Sequence, residues 1–563
     1  MKTRYILLSV LSVALFTACN EKLLDIPQQG VISEDGFYKS DSDAEQAIAA
    51  CYQWWRNMES GAFLGGVHYA NGFMMRNLLS DELNTGGSRS DQPMLQEFNE
   101  SAVSVTNSIV KGYFQDLYKL IYKAHLVMEH FDPSESDAKK RAVAEAHFFR
   151  AWAYLQLVTL WGTPPYIDHS VEPDKGDLTN GDPADIWKLI EDDMTECINS
   201  GALGTKNNVN DQENGIRLTK EAAEAFFGRA LLYEGKYAEA KAQLKKVIES
   251  KKYTLVPAEK FVYFYHTTNN HCPEYVLEIN RHYDMANNGW MSLNGTMTTG
   301  QSGWFGILWN WGFNYGVCAG PDAASHFDFN SGLGYSNGLV SKALYDDFKN
   351  AGEENGIRRK ATILTLQDLV DMNIFFDRTM AMYMNEGYFR FKWLPLLQDE
   401  NVNYWTGSMA CTPMIRYADV LLMMAECCVQ MGESGDSYFN EVRNRAGVPT
   451  KSNVTLADIK TERHLELAIE GLRFHDLIRW GDAPTVLKNK GKKLPTLRLV
   501  PPEGLDITSA AAIYAAKYQT SVEYTDNDKA LAGWTTGRDE LLPFPQAEID
   551  VNPNLVQNPG YKD

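Results

Sequence analysis

Apolar and polar positions along the chain alternate between helical stretches and stretches with no period. Asp41 to Tyr52 places apolar residues at helical spacing. Gly61 to Val110 is rich in Gly and Asn and interrupts the pattern. Gly112 to Val127, GYFQDLYKLIYKAHLV, again sets apolar residues three and four apart, which predicts an amphipathic helix. Ala144 to Gly162, AEAHFFRAWAYLQLVTLWG, is apolar nearly all round and predicts a buried helix. The following Thr163-Pro164-Pro165 ends it.

Leu218 to Ser250 reads as a pair of helices turning at Gly235. Gly228 and Ala240 are small where two helices must approach, and Tyr237, Leu244 and Val247 supply the packing side chains. That spacing is similar to a tetratricopeptide-type unit. A second pair spans Arg416 to Ala446, turning at Gly432. Two such units predict a mostly α-helical fold built from tetratricopeptide-like hairpins. Gly300 to Ser336 has no helical period, and its length and aromatic content predict a structured, functional loop. From Pro495 to Asp563 Pro and Gly recur, which predicts a tail wrapping the surface as extended chain.

The N-terminus changes the picture. Lys2 and Arg4 precede a twelve-residue apolar run, Tyr5 to Phe16, too short to span a bilayer. Thr17-Ala18 then precede Cys19, which predicts a lipoprotein signal over residues 1–18 with diacylglycerol on the Cys19 thiol. Phe16 departs from the usual aliphatic residue there. Two or more acyl chains anchor a protein stably, at about 0.8 kcal/mol per buried CH₂. Of eight cysteines the other seven are Cys51, Cys197, Cys272, Cys318, Cys411, Cys427 and Cys428. No CxxC or zinc-type spacing occurs, so they read as small buried residues.

Charge excludes one class of partner. The 563 residues carry a formal charge of −20, which repels phosphate backbones and makes nucleic acid an unsuitable ligand. The sequence holds no HExxH and no phosphate loop. Glu462, Glu466 and Glu470 sit four apart, which places them on one helix face, with Arg473, Asp476 and Arg479 following at three-residue steps. An acid/base pair at Glu466 and Glu470 is one reading. An ion-pair network that fixes the fold is the better one, and Arg416, Asp419 and Glu426 read likewise.

Six blocks in order carry a family resemblance: LLDIP from Leu23, GFY from Gly36, AEAHFFRAWAYLQLVTLWGTPP, IRYADVLLMMAE to NEVRNRAG, ERHLELAIEGLRFHDLIRWG from Glu462, and LLPFPQAEIDVNPNLVQNPGY from Leu541. Together they resemble the SusD/RagB family of outer-membrane nutrient-binding lipoproteins, nearly end to end. The resemblance implies a helical region over residues 19–260, a C-terminal region over 261–563, and long irregular loops forming the ligand face. It implies no enzymatic activity. It also implies capture of oligosaccharide at the cell exterior and delivery to a SusC-like TonB-dependent transporter. Some members bind peptides, so a peptide ligand, or a tetratricopeptide scaffold binding only protein, stays open.

Candidate ligand residues follow. Ser302 to Gly316, SGWFGILWNWGFNYG, holds three Trp, two Phe, one Tyr and four Gly. A glycine-rich segment has no regular face to bury, whereas sugars lay apolar C–H faces flat on aromatic rings. Trp304, Trp309, Trp311 and Tyr315, with Trp290 upstream, are the stacking candidates. Asn310 and Asn314 suit sugar hydroxyls, being donors and acceptors at once. A second strip, Asp81 to Asn99, offers Arg89 as a forked donor to vicinal hydroxyls and Asn99 beside it. Nothing in the sequence indicates a metal or cofactor, and calcium assistance stays open.

Overall fold

The computed structural model describes residues 36–60, 63–65, 67–68, 70–86, 93–170, 178–280, 317–319, 338–371, 374–376, 380–393, 410–500, 503 and 519–561. The helices used below are α1 (Asp41–Ser60), α2 (Gly72–Leu79), α3 (Pro93–Asn99), α4 (Ser108–His130), α5 (Asp137–Trp161), α6 (Pro183–Asn199), α7 (Lys220–Glu234) and α8 (Tyr237–Ser250). After them come α9 (Lys342–Asn350), α10 (Tyr417–Gln430), α11 (Asp436–Ala446), α12 (Leu456–Glu466), α13 (Arg473–Arg479) and α14 (Gln546–Val551). Successive helices from α4 to α8 pack on one another, α8 then packs on α10, and α10 on α11. This is the expected hairpin stack, with α1 laid across α4 and α5. One contiguous apolar core runs from Ala44 to Leu555, through both halves of the chain.

Local chemistry sets the ends of these elements. Asn107 caps α4, its Oδ1 accepting from the amides of Ile109 at 3.0 Å and Val110 at 3.2 Å. Helix α5 stops at Gly162, φ +74°, before the prolines are reached. Its amide donates to Val158 O at 3.0 Å. Buried residues lie all round α5, as its sequence predicts. Helices α7 and α8 turn at Gly235, φ +85°. A Cβ on Gly228 would lie 2.7 Å from Leu244 Cδ2, so that glycine sets the closest approach of the hairpin. In the second hairpin the close approach is at Gly435, where a Cβ would meet Ala425 O at 2.7 Å.

Three expectations need correction. The Gly61–Val110 stretch is not all irregular: it holds α2 and α3. Every residue of α2 is buried, so the helix has no polar face to produce a period. The ERHLELAIEGLRFHDLIRWG block is not one helix. α12 ends at Glu466, Ile469 takes φ +63°, and α13 begins at Arg473. The tail is more than surface wrapping. Strand Gln519–Asp526 forms an eight-residue antiparallel ladder with Lys493–Val500. Leu542, Phe544 and Leu555 enter the core, and Trp161 Nε1 donates to Pro543 O at 2.9 Å.

Among the described residues no helix is long and apolar enough to cross a membrane. Cys51, Cys197, Cys272, Cys411, Cys427 and Cys428 are buried and form no disulfide.

Candidate functional site

Described residues that flank the two strips singled out in the sequence pair with one another. Leu83 and Asn84 pair antiparallel with Val340 and Leu339. On either side of that pair Gly338 N donates to Thr85 O at 2.9 Å and Ser341 N to Glu82 O at 3.0 Å. Residues 81–86 run into the Arg89 strip, and residues 338–341 end the aromatic segment. The aromatic segment is also fixed before and within its length. Strand Tyr275–Ile279 is held by Thr412–Arg416, and Val317–Ala319 pairs with Ile374–Phe376.

A polar and aromatic rim surrounds the shared ladder. Glu386 accepts from Asn84 Nδ2 at 3.1 Å, from the Lys342 amide at 2.7 Å and from Tyr524 OH at 2.8 Å. Tyr345 and Tyr388 stack beside it, ring centroids 4.3 Å apart and 24° from parallel. Tyr524 is about half exposed, at 48%. Residues from four separate segments therefore meet at one surface. Sequence reasoning missed Glu386, Tyr388 and Tyr524, because no local motif announces a rim whose bonded partners lie 44, 138 and 302 positions apart. Their only signal was residue type.

Trp290, Trp304, Trp309, Trp311, Tyr315, Asn310, Asn314, Arg89 and Cys19 lie outside the described residues. Asn99 ends α3 and is 2% exposed, and its Oδ1 lacks a hydrogen-bond partner.

A second concave feature lies elsewhere, on the outer face of α4. A half-open cavity of about 580 Å³ is lined by Phe114, Tyr118 and Tyr122 at four-residue steps, with His125, Ile167 and Leu555. Its lining is mainly apolar. Tyr118 OH is tied to Pro165 O at 2.7 Å, and Gln115 is bonded to Glu548 Oε1 at 2.7 Å. His125 is 1% exposed with neither ring nitrogen partnered. Burial, reinforced by Arg150, pulls its pKa down to about 4 and keeps the ring neutral.

The paired acids have a different role. Arg416 Nη1 donates to Glu274 Oε1 at 2.5 Å and Glu466 Oε1 at 3.0 Å, while its Nε and Nη2 grip Glu470 at 2.9 and 2.8 Å. Arg445 joins Glu274 at 3.1 Å and also bonds Glu466. Burial raises the Glu466 pKa, but Arg445, Arg416 and Arg358 outweigh it and bring it down to about 2. A neighbouring network joins Arg463 to Asp419 at 2.7 Å and Asp476 at 2.9 Å. Arg479 reaches Glu426 Oε2 at 2.8 Å. These carboxylates are bound to arginines that tie the surrounding helices together.

The profile of the SusD family matches residues 360–561, and that of a related family described as starch-binding and associating with the outer membrane matches residues 38–233. The chain belongs to the SusD family. A SusD-like protein of Bacteroides ovatus is 22% identical, over 99% of this chain and 98% of its own length. SusD-like protein P25 of Formosa agariphila is 26% identical over 85% of this SusD-family chain and 90% of its own. Among solved structures, a laminarin binding SusD-like protein superposes with a TM-score of 0.72 at 26% identity, covering 93% of this chain and 100% of that one. Surface glycan-binding protein A from Bacteroides thetaiotaomicron, in complex with laminarihexaose, shares the fold: TM-score 0.69, 21% identity, 92% of this chain and 100% of that one.

Proposed function

We propose that this protein is a cell-surface glycan-binding lipoprotein. It captures oligosaccharide at the loop face framed by the Leu83–Asn84/Leu339–Val340 ladder and passes it to a SusC-like TonB-dependent transporter. The observation that supports the reading is that ladder, which pairs residues shortly before Arg89 with residues that follow the aromatic segment. Stacking falls to Trp290, Trp304, Trp309, Trp311 and Tyr315. Arg89, Asn310 and Asn314 bond the hydroxyls, and Glu386 and Tyr524 form the rim. Asn99, a ligand candidate in the sequence, is 2% exposed and is left out of the ligand face. Cys19 carries the lipid that holds the protein at the outer membrane, facing outward. No acid/base chemistry is assigned, since Glu466 and Glu470 are both held by Arg416. The laminarin-binding relative makes a β-glucan the first ligand to try.

The cavity on α4 favours a second reading, in which the ligand sits against Tyr118 and Tyr122. Calorimetry of residues 20–563 with laminarin and a polysaccharide panel separates the two. Under the loop reading, Trp304→Ala, Trp309→Ala or Trp311→Ala lowers affinity at least tenfold, and Tyr122→Ala leaves it unchanged. The reverse pattern moves the site to the cavity. Folded protein that ignores every glycan points to a peptide ligand or to a site completed by the transporter.

A further inference from the structure

Away from both surfaces, three metal-ligating side chains of different chemistry converge at the base of the aromatic segment. His271 occupies the turn before strand Tyr275–Ile279, with φ +57°. Glu278 lies on that strand and is 8% exposed. Cys411 directly precedes strand Thr412–Arg416 and is 1% exposed. The ladder between the two strands, Thr412 opposite Ile279 and Pro413 opposite Glu278, fixes Cys411 beside Glu278. The Cys411 amide donates to Asn270 Oδ1 at 2.7 Å, which ties the cysteine to the turn that carries His271. His271 Nδ1 already bonds Glu278 Oε1 at 2.8 Å. One donor atom from each of the three residues lies within 4.8 Å of the other two.

That spacing is close to what a metal needs. With bonds of about 2.0–2.3 Å, the donors of a tetrahedral zinc site sit roughly 3.3–3.8 Å apart. Rotamer adjustment alone closes the difference, since all three residues stand on backbone already fixed by the ladder and the turn. The donor set is one imidazole nitrogen, one carboxylate oxygen and one sulfur. Calcium and magnesium take oxygen ligands, so this set selects a borderline-soft ion. We propose that His271, Glu278 and Cys411 form a zinc-class transition-metal site with three protein ligands and a fourth position open to water. The His271 side chain, 23% exposed, faces the open side. Binding forms an Sγ–metal bond as the Cys411 S–H proton leaves to water, and it displaces any proton shared between His271 and Glu278. Affinity therefore rises with pH. Buried Lys206 acts electrostatically on both His271 and Glu278, and a metal competes with it for the carboxylate. The bound ion cross-links the turn at His271 to the strand after residue 410, just before the chain enters the aromatic segment at residue 281. The site stands independently of the glycan reading.

The test is titration of reduced residues 20–563 with Co²⁺, then Zn²⁺. One equivalent of Co²⁺ is expected to give a near-ultraviolet thiolate-to-metal absorption band that one equivalent of Zn²⁺ abolishes. Cys411→Ser loses the band. His271→Asn, chosen because Asn tolerates positive φ, weakens binding at least tenfold in protein that still melts cooperatively without metal. Cys272→Ser, removing the neighbouring buried thiol, keeps the band. Absence of stoichiometric binding overturns the proposal. So does a band that survives Cys411→Ser, or one that disappears with Cys272→Ser instead.

Discussion

Glu470 shows how a single residue can escape its local pattern. Its spacing from Glu462 and Glu466 suits one helix face, and a regular helix would carry all three in a row. Instead α12 ends at Glu466, and Ile469 adopts φ +63°, a conformation unfavourable for a β-branched residue. The Ile469 amide donates to buried Glu82 at 3.0 Å, which holds the turn. The break lets Glu466 and Glu470 reach Arg416 from two directions. Arg416 is 1% exposed and faces three carboxylates, so its removal leaves uncompensated charge in the core. Breaking one partner out of a buried ion network costs about 3–5 kcal/mol. Arg416→Ala is expected to lower unfolding free energy by that amount in urea titration, or to prevent folding. A loss below about 1 kcal/mol would contradict the assigned network. Arg416→Lys should not rescue it, because one ammonium cannot replace a guanidinium fork held by three glutamates.

At the scale of elements, the hairpin of α7 and α8 was the most legible feature. Its turn glycine, its small residues and its packing residues all lie within Leu218 to Ser250, and the helices form where that spacing places them. Gly228 gives the prediction. Alanine at this position gains about 1 kcal/mol of helix propensity, while its Cβ meets the flexible end of Leu244 at 2.7 Å. The two effects nearly offset, so Gly228→Ala should change the melting temperature little. Gly228→Val adds bulk without the propensity gain, and overpacking of this kind costs about 1–3 kcal/mol. Thermal or urea denaturation of the two variants should separate them clearly, and Leu244→Ala should recover part of the Val loss. Helix α2 was illegible for the opposite reason. It is eight residues long and wholly buried, so neither period nor length distinguished it from loop.

For the molecule as a whole, buried titratable groups set the pH response. Burial pulls His464 and His475 down to about 3, from an ordinary 6.5. His125 falls to about 4. Asp419 and Glu466 are brought to about 2, arginines outweighing burial in both. In each case the unfolded chain binds protons that the folded state refuses. Stability from these groups is complete above about pH 6.5 for the histidines and above about pH 4.5 for the carboxylates. It is lost as pH falls toward about 3 and about 2 respectively. Glu82 acts oppositely: burial, then Asp81, pushes it up to about 8, so its penalty grows as pH rises from about 4.5 to about 8. The melting temperature is therefore expected to peak near neutrality and to fall more steeply on the acid side. Glu82→Gln should remove this penalty across the whole window, flattening the alkaline side and steepening the rise on the acid side. A profile without an acid decline would overturn the burial of the histidines as a source of stability.

What the sequence determined by itself is what short-range chemistry encodes. The helical periods, the turn glycines and the ordered blocks of the SusD family could each be read within a few tens of residues. Tertiary structure decided everything that joins distant segments. It paired Leu83–Asn84 with Leu339–Val340, joining chain that flanks the two candidate strips. It gathered Glu386 and Tyr524 into a rim, broke the 462–481 block so that its acids could grip Arg416, and set His271 and Glu278 beside Cys411. The physical reason is the range of the forces involved. Backbone propensity and side-chain period act over a turn or two, whereas charge pairing, ladder hydrogen bonds and metal-ligand geometry depend on distances in space that sequence separation does not report.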